Sequence, residues 1–179
     1  MAYTVRRLDT LILLAVTVAL WFAFAVEIFL QQLPCPLCLL QRVAFTMVGI
    51  GLLLNLRFGV RPMHYGVVIL SSLAGLAVAG RQVLLHILPG NPGFGSPVLG
   101  LHLYTWAAIA FFALLAYSGI ILMLAFVRQN GAPRRFGFAE KFVAAAFFTI
   151  ALVNLISTVF ECGLGPCTSH SFGYHWFRP

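Results

Sequence analysis

Long apolar runs alternate with short polar or Gly/Pro-rich pieces along most of the chain. Five runs occur, near residues 10–30, 39–56, 66–88, 103–127 and 139–160. A transmembrane helix needs about 20 predominantly apolar residues, and each run is close to that length or longer. The pattern predicts an all-α integral membrane protein: a transmembrane helix bundle of about five spans, forming a single membrane domain over residues 1–179 that ends in a tail at 161–179.

The composition supports the same class. Apolar residues make up 61% of the 179 positions and charged residues only 8%, and the mean hydropathy is +0.99. These values are far from those of an average soluble domain. The four acidic residues leave little material for paired-carboxylate chemistry, and the sequence contains no phosphate-binding glycine loop or serine nucleophile motif.

Basic residues near the ends of the runs predict the orientation. They form three groups, which are Arg6 with Arg7, Arg57 with Arg61, and Arg128, Arg134 and Arg135 with Lys141. Because positive residues flanking spans stay in the cytoplasm, the N-terminus is predicted to be cytoplasmic. Five spans then place the C-terminus outside, in the periplasm. The net charge of +7 is explained by this topology and does not indicate nucleic-acid binding.

Two segments of the runs have alternative interpretations. Ala23-Phe24-Ala25 resembles a signal-peptide cleavage site, but the apolar run continues to a full membrane thickness, which favours an uncleaved helix. Gly51, Gly75 and Gly80 interrupt the second and third runs. We expect these glycines to permit close approach of neighbouring helices rather than to contact a ligand.

The four cysteines form two pairs that the predicted topology places in one compartment. Cys35 and Cys38 lie just before the second run, and Cys162 and Cys167 lie just after the fifth. In an oxidising space such as a periplasm, paired thiols can cycle or stay bonded. All four cysteines are therefore predicted to face one compartment, on the periplasmic side.

The first pair forms a Cys-x-x-Cys motif, Cys35-Pro36-Leu37-Cys38, at the predicted start of a helix. The helix dipole and unpaired amides there should favour a thiolate on the first cysteine. Arg42 follows Cys38 by four residues and shares its helix face, so its permanent charge can stabilise a thiolate or a reduced acceptor.

The segment Pro34-Cys35-Pro36-Leu37-Cys38-Leu39-Leu40-Gln41-Arg42 resembles the signature of the disulfide bond formation protein B (DsbB) family. The resemblance continues through Gly80-Arg81-Gln82-Val83 and Leu99-Gly100-Leu101-His102-Leu103-Tyr104-Thr105-Trp106, and covers roughly residues 10–127. Members are four-helix proteins of the bacterial inner membrane that reoxidise a periplasmic, DsbA-like dithiol oxidase and pass electrons to a quinone. The resemblance implies that Cys35 and Cys38 are the pair coupled to a quinone, which is ubiquinone or menaquinone, and that Arg42 lies beside the quinone.

The second pair departs from the family pattern, in which it lies between the third and fourth spans. Residues 86–102 contain no cysteine. We expect Cys162 and Cys167, in the tail after an additional fifth span, to substitute for that pair. The alternative is a structural disulfide in the tail, or a bond from the tail to Cys35 or Cys38.

Polar residues near the outer ends of spans two and three suggest the quinone site. Gln41 and Arg42 on span two, with Arg81 and Gln82 on span three, are predicted to place cations and amide donors around one quinone carbonyl and to stabilise the negative charge that develops on reduction. For Arg81, snorkelling to lipid headgroups is an equal alternative. Glu27 is a weaker candidate for proton relay.

The sequence therefore predicts a membrane thiol oxidase that supports disulfide bond formation. A thiol reductant conduit is less favoured, because it needs cysteines on the cytoplasmic side. A non-catalytic or metal-handling protein would use the cysteines as staples or ligands. The histidine and cysteine spacings match no zinc-site pattern, so no metal site is predicted.

Overall fold

The computed structural model describes residues 2–30, 35–87, 93, 95, 97–125 and 135–162. It contains five helices, which are α1 (Ala2–Leu30), α2 (Pro36–Phe58), α3 (Pro62–Leu85), α4 (Leu103–Ala125) and α5 (Phe138–Cys162). All five are long and apolar enough to cross a membrane. The predicted all-α fold with five spans is confirmed, whereas the tail beyond residue 162 lies outside the described residues.

The helix ends differ from the apolar runs for local reasons. The first helix begins well before its run, because Arg6 reaches Glu140 of α5 as an ion pair and the polar first turns are held in place. The third helix stops at Leu85, before the end of its run, because the His86 N–H bonds to the Val83 carbonyl in a tight terminal turn. Both α2 and α3 begin with proline, whose missing N–H costs nothing in a first turn.

The helices share one apolar core, in which α2 lies centrally. It packs against α1, α3 and α5, and α4 packs against α3. Gly51 and Gly75 lie where neighbouring side chains approach closely: a Cβ at Gly75 would be 2.3 Å from the Phe111 ring. The packing prediction is confirmed for these two glycines. It is wrong for Gly80, where a Cβ would meet nothing within 4 Å.

Gly49 is a packing glycine that the sequence analysis did not identify. A Cβ there would be 2.2 Å from the ring of Phe147 on α5, and Phe147 is fully buried. The absence of a side chain at Gly49 therefore lets α5 dock against the middle of α2.

One end of the bundle gathers basic residues. Besides the ion pair with Glu140, Arg6 donates to the Arg135 carbonyl over 3.2 Å. Asp9, one turn further along α1, accepts hydrogen bonds from Tyr65 near the start of α3 and Tyr117 near the end of α4. The starts of α1, α3 and α5 thus lie together, as the charge pattern requires. Large apolar side chains remain exposed along the helices, which suits a lipid environment.

Candidate functional site

The two cysteines of the Cys-x-x-Cys motif meet at the start of α2. Cys35 is the N-cap, with extended backbone geometry, and its Sγ accepts the Cys38 N–H over 3.2 Å. The two Sγ atoms are 2.7 Å apart, and both cysteines are free thiols. A small side-chain rotation would bring them to disulfide geometry, so the first turn of α2 holds the pair ready for oxidation.

Gln82 on α3 lies against both sulfur atoms. Its Nε2 donates to Cys35 Sγ over 3.3 Å and to Cys38 Sγ over 3.5 Å. Its Oε1 accepts the Nε2–H of Gln41 over 2.8 Å, which fixes the orientation of the amide. Both glutamines are buried. The pair is therefore supported by an amide donor suited to a thiolate.

The thiolate prediction for Cys35 needs correction. The amide of Cys38 donates to its sulfur as expected, but the hydrogen bond to the Cys38 side chain and burial together raise the pKa of Cys35 above its usual value. The contact with the second sulfur therefore favours the protonated form of Cys35. Proximity to a second sulfur outweighs the helix terminus here.

A cavity of about 460 Å³ opens beside Cys38 between α1, α2 and α4. Apolar side chains such as Leu20, Phe45 and Ala107 form most of its wall. Its polar lining residues are few and come from α1, α2 and α4: Glu27, Cys38, Gln41, Arg42 and Tyr104. A largely apolar cavity of this size with a few convergent polar groups is typical of a small-molecule site.

Arg42 is held by a buried polar network. Its Nη1 donates to Glu27 Oε2 over 2.6 Å and to Asn154 Oδ1 over 3.1 Å, and its Nη2 donates to the Ala23 carbonyl over 3.0 Å. Glu27 Oε1 also accepts the Ser157 hydroxyl over 2.7 Å. Because Arg42 and Glu27 neutralise each other, both charges are tolerated at membrane depth.

The guanidinium keeps spare donors for a ligand. Three bonds leave its Nε–H and one Nη2 hydrogen without an acceptor among the residues described here. Arg42 lines the cavity, so an oxygen acceptor there can satisfy these donors. An apolar ring system with carbonyl oxygens matches this combination of wall and donors, and a quinone therefore fits the residues present.

Arg81 is not brought to this site. Its side chain is exposed, and it is not among the residues that line the cavity. Gln41 and Arg42, by contrast, both line it. Gln82 contacts Gln41 and the two cysteines beside the cavity, whereas Arg81 lies apart.

Cys162 ends α5 and is disulfide-bonded, while Cys167 lies outside the described residues. Cys162 lies five residues after Ser157, about 8 Å further along α5. Cys35 lies seven residues before Arg42, about 10 Å along α2. Since Ser157 and Arg42 both bond to Glu27, Cys162 and Cys35 are at the same end of the bundle. Over the described part of the chain, no three His, Cys, Asp or Glu side chains are grouped to hold a metal.

Two polar partners were not among the predicted site residues: Asn154 and Ser157. A sequence signal for both exists. Asn154 and Ser157 are three residues apart inside an apolar span, so they share a helix face, and polar residues inside spans usually face the bundle interior. Their hydrogen-bond partners could not be predicted from the sequence, because these partners depend on which helices α5 packs against.

The chain is similar to known proteins of one family. The family model for disulfide bond formation protein DsbB matches residues 5–96. A disulfide bond formation protein B from Marinobacter nauticus is 33% identical in an alignment 159 residues long, which covers 68% of this chain and 93% of the relative. One from Pseudomonas syringae pv. tomato is 32% identical over 145 residues, 62% of this chain and 83% of the relative.

A third relative, from Nitrosomonas eutropha, is 38% identical over 88 residues, 47% of this chain. The chain spans about half the length of that relative, 54%. No solved structure matches the chain. The matched family region contains nearly all of α1, the whole of α2 and α3, and the cysteine pair at the start of α2, whereas α4 and α5 lie beyond it. The chain therefore belongs to the family of disulfide bond formation protein DsbB, and its five apolar helices make it a multi-pass membrane protein.

Proposed function

We propose that this protein is a quinone-dependent thiol oxidase that reoxidises a DsbA-like dithiol protein in the bacterial periplasm. The observation that carries the proposal is the position of Cys38. It is hydrogen-bonded to Cys35 at the start of α2, and it also lines the apolar cavity with Arg42. A thiol pair at the wall of a lipophilic cavity can exchange electrons with a lipophilic acceptor. Family membership supports the same activity.

The electrons would pass through two thiol–disulfide exchanges. In the first, two partner thiols become a disulfide, and a disulfide between Cys162 and Cys167 becomes two thiols. In the second, those thiols regain their disulfide, and a Cys35–Cys38 disulfide becomes two thiols. Each exchange conserves protons and electrons, because one disulfide is formed for each one broken.

Two observations support the pairing of Cys162 with Cys167. Cys162 is disulfide-bonded while Cys35 and Cys38 are free thiols, and the chain has four cysteines. Cys162 also lies at the same end of the bundle as the first pair, which the second exchange requires.

A bound quinone would take two electrons and two protons from the Cys35–Cys38 thiols and leave as quinol. Cys35 retains its proton because its pKa is raised, and it would release that proton as the disulfide closes. Gln82 donates to both sulfurs and would stabilise negative charge on them. Arg42 would orient the acceptor through its spare donors.

The orientation follows from the charge distribution. The basic end of the bundle would face the cytoplasm, and the ends of α2 and α5 that carry cysteines would face the periplasm. The proposed location is the bacterial inner membrane, with the partner on the oxidising side.

Steady-state turnover tests this proposal. Purified protein in nanodiscs is mixed with a reduced DsbA-like protein and a short-chain ubiquinone or menaquinone analogue, and quinone absorbance is followed. We expect quinol formation to match partner oxidation. Absence of turnover with both analogues contradicts the proposal.

Cysteine variants separate the two exchanges. Cys162→Ser and Cys167→Ser should abolish oxidation of the protein partner, yet leave oxidation of a small dithiol through Cys35 and Cys38 partly intact. Cys38→Ser should abolish both. Partner oxidation that survives the two tail variants contradicts the relay while leaving the quinone step standing.

A further inference from the structure

Two polar side chains of α5 contact the charged pair beside the cavity. Asn154 Oδ1 accepts from Arg42 Nη1 over 3.1 Å, and the Ser157 hydroxyl donates to Glu27 Oε1 over 2.7 Å. Asn154 is 6% exposed and Ser157 is 9% exposed. Each partner of the ion pair thus has one bond from α5.

The orientation of Asn154 is fixed by its own helix. Its Nδ2 donates to the Ile150 carbonyl over 2.9 Å, so the amide oxygen is the atom left to face Arg42. The amide is therefore an acceptor held in place, which matches the needs of a guanidinium that can only donate.

The described residues of α5 do not line the cavity, and they contact it only through other side chains. Among the described residues, its wall is formed by α1, α2, α4 and the segment that includes Gly95, Val98 and Leu99, with none from α5. Arg42 and Glu27 line the wall and bond to α5 behind it. Any influence of Asn154 or Ser157 on a ligand must pass through these two side chains.

Three helices together define where Arg42 points. Glu27 and the Ala23 carbonyl belong to α1, Arg42 to α2, and Asn154 to α5. An arginine side chain has many rotamers, and fixed acceptors on two sides select one of them. The spare Nε–H and Nη2–H then have a set direction relative to the cavity.

We infer that Asn154 and Ser157 are positioning residues for the quinone site, so that α5 is a working part of the site. The inference rests on the proposed function, because it concerns how Arg42 meets the quinone. It gives α5, which lies beyond the matched family region, two roles. The helix carries Cys162 at its end, and Asn154 and Ser157, about one and a half to two turns before Cys162, orient Arg42.

Equilibrium binding and kinetics test the inference on the full chain in nanodiscs. A short-chain ubiquinone analogue is titrated into the oxidised protein, which has no electrons to give, and its Kd is measured. Quinone KM and kcat are measured with reduced dithiol protein. The rate of dithiol oxidation in a single turnover without quinone is the third readout.

Asn154→Leu removes the acceptor for Arg42 and should raise the quinone Kd and KM roughly tenfold, the size expected for a hydrogen bond to a charged group. Ser157→Ala should raise them about threefold, since it acts through Glu27. The single-turnover rate without quinone should not change. Asn154→Asp keeps an oxygen acceptor and should restore the Kd to near the wild-type value.

Thr149→Val is the matched control, because Thr149 is an exposed α5 residue whose hydroxyl, within the described part of the chain, bonds only to the Ala145 carbonyl of its own helix. It should leave all three readouts unchanged. A purely structural role for Asn154 predicts instead that Asn154→Leu lowers stability and every rate alike, without a selective change in Kd.

The outcomes separate this inference from the proposed function. A wild-type protein that neither binds nor reduces quinone overturns both. A functional wild-type protein whose Asn154→Leu and Ser157→Ala variants bind quinone normally overturns the inference alone. If Asn154→Leu does not fold, Ser157→Ala tests the inference by itself. An unchanged quinone Kd in Ser157→Ala then overturns the inference.

Discussion

The first helix carries two buried acidic residues, one towards each end, and their surroundings differ. Glu27 is 3% exposed, pairs with Arg42, accepts from Ser157 and lines the cavity. Asp9 is 1% exposed and accepts the hydroxyls of Tyr65 and Tyr117 over 2.8 and 2.7 Å. Among the described residues Asp9 has no ion pair, and it does not line the cavity.

The difference shows how buried polar residues divide between stability and chemistry. The Glu27 cluster joins α1 to α2 and α5, and the Asp9 cluster joins α1 to α3 and α4, so the two together tie the first helix to all the others. Only the Glu27 cluster includes a cation with spare donors beside a cavity. We therefore expect changes at Glu27 or its partners to alter quinone kinetics, and changes at Asp9 to alter stability alone.

Replacing Arg42 should give the largest effect. Arg42→Leu leaves the Glu27 charge buried without its cation, which should cost about 3–5 kcal/mol of unfolding free energy and weaken quinone binding. Denaturation in detergent and quinone titration measure the two losses. Arg57→Leu is the control, because Arg57 is exposed at the other end of α2; it should change stability by no more than about 0.5 kcal/mol.

Asp9→Leu should come next, with an effect on stability only. It leaves the hydroxyls of the buried Tyr65 and the partly buried Tyr117 without their carboxylate acceptor, which should cost about 2–4 kcal/mol. Asp9→Asn keeps an acceptor oxygen and should cost less. The quinone KM of either variant should stay within about twofold of wild type, and a larger rise would show that the two clusters are not independent.

Filling the gap between α2 and α5 should have an intermediate effect on both properties. Gly49→Ala places a Cβ 2.2 Å from the Phe147 ring, and overpacking of this kind costs roughly 1–3 kcal/mol. Because the displaced helix carries Asn154, the quinone KM should also rise. Gly80→Ala is the matched control, since its Cβ would have open space; a KM change in both variants would contradict the packing account.

Removing one hydroxyl from the Asp9 cluster should give the smallest effect. Tyr117→Phe deletes one of the two hydrogen bonds to Asp9 and should lower the unfolding free energy by about 1 kcal/mol. Thermal unfolding of the solubilised protein measures the change. Quinone kinetics should be identical to wild type, and a shift in KM would place Tyr117 in the functional site.

Much of the fold was predictable because membrane spans leave a strong one-dimensional signal. The five helices and the shared side of the basic groups follow from apolar runs and charge, and the Cys-x-x-Cys motif locates the reactive pair. Helix ends were less predictable, since they depend on contacts such as the pairing of Arg6 with Glu140. Residue spacing alone does not reveal a contact between distant helices.

The site was most predictable where its residues belong to one helix. Cys35, Cys38, Gln41 and Arg42 are neighbours at the start of α2, so their common face follows from helical periodicity. Gln82 reaches that face from α3, as its position near the outer end of span three predicted, whereas only the packing of the helices reveals the contact of Asn154 from α5. The same reason explains why the open space around Gly80 and the crowding at Gly49 were not expected.

The central claim is that Cys35 and Cys38 deliver their electrons to a quinone in the adjacent cavity. Its most direct test is a single turnover: the pair is reduced in a variant that lacks Cys162 and Cys167, one equivalent of short-chain quinone is added, and free thiols and quinol are counted together. The account predicts two thiols lost for each quinol formed, with no reaction in Cys38→Ser and weaker quinone binding in Arg42→Leu. Thiols that persist while quinone remains oxidised would contradict it.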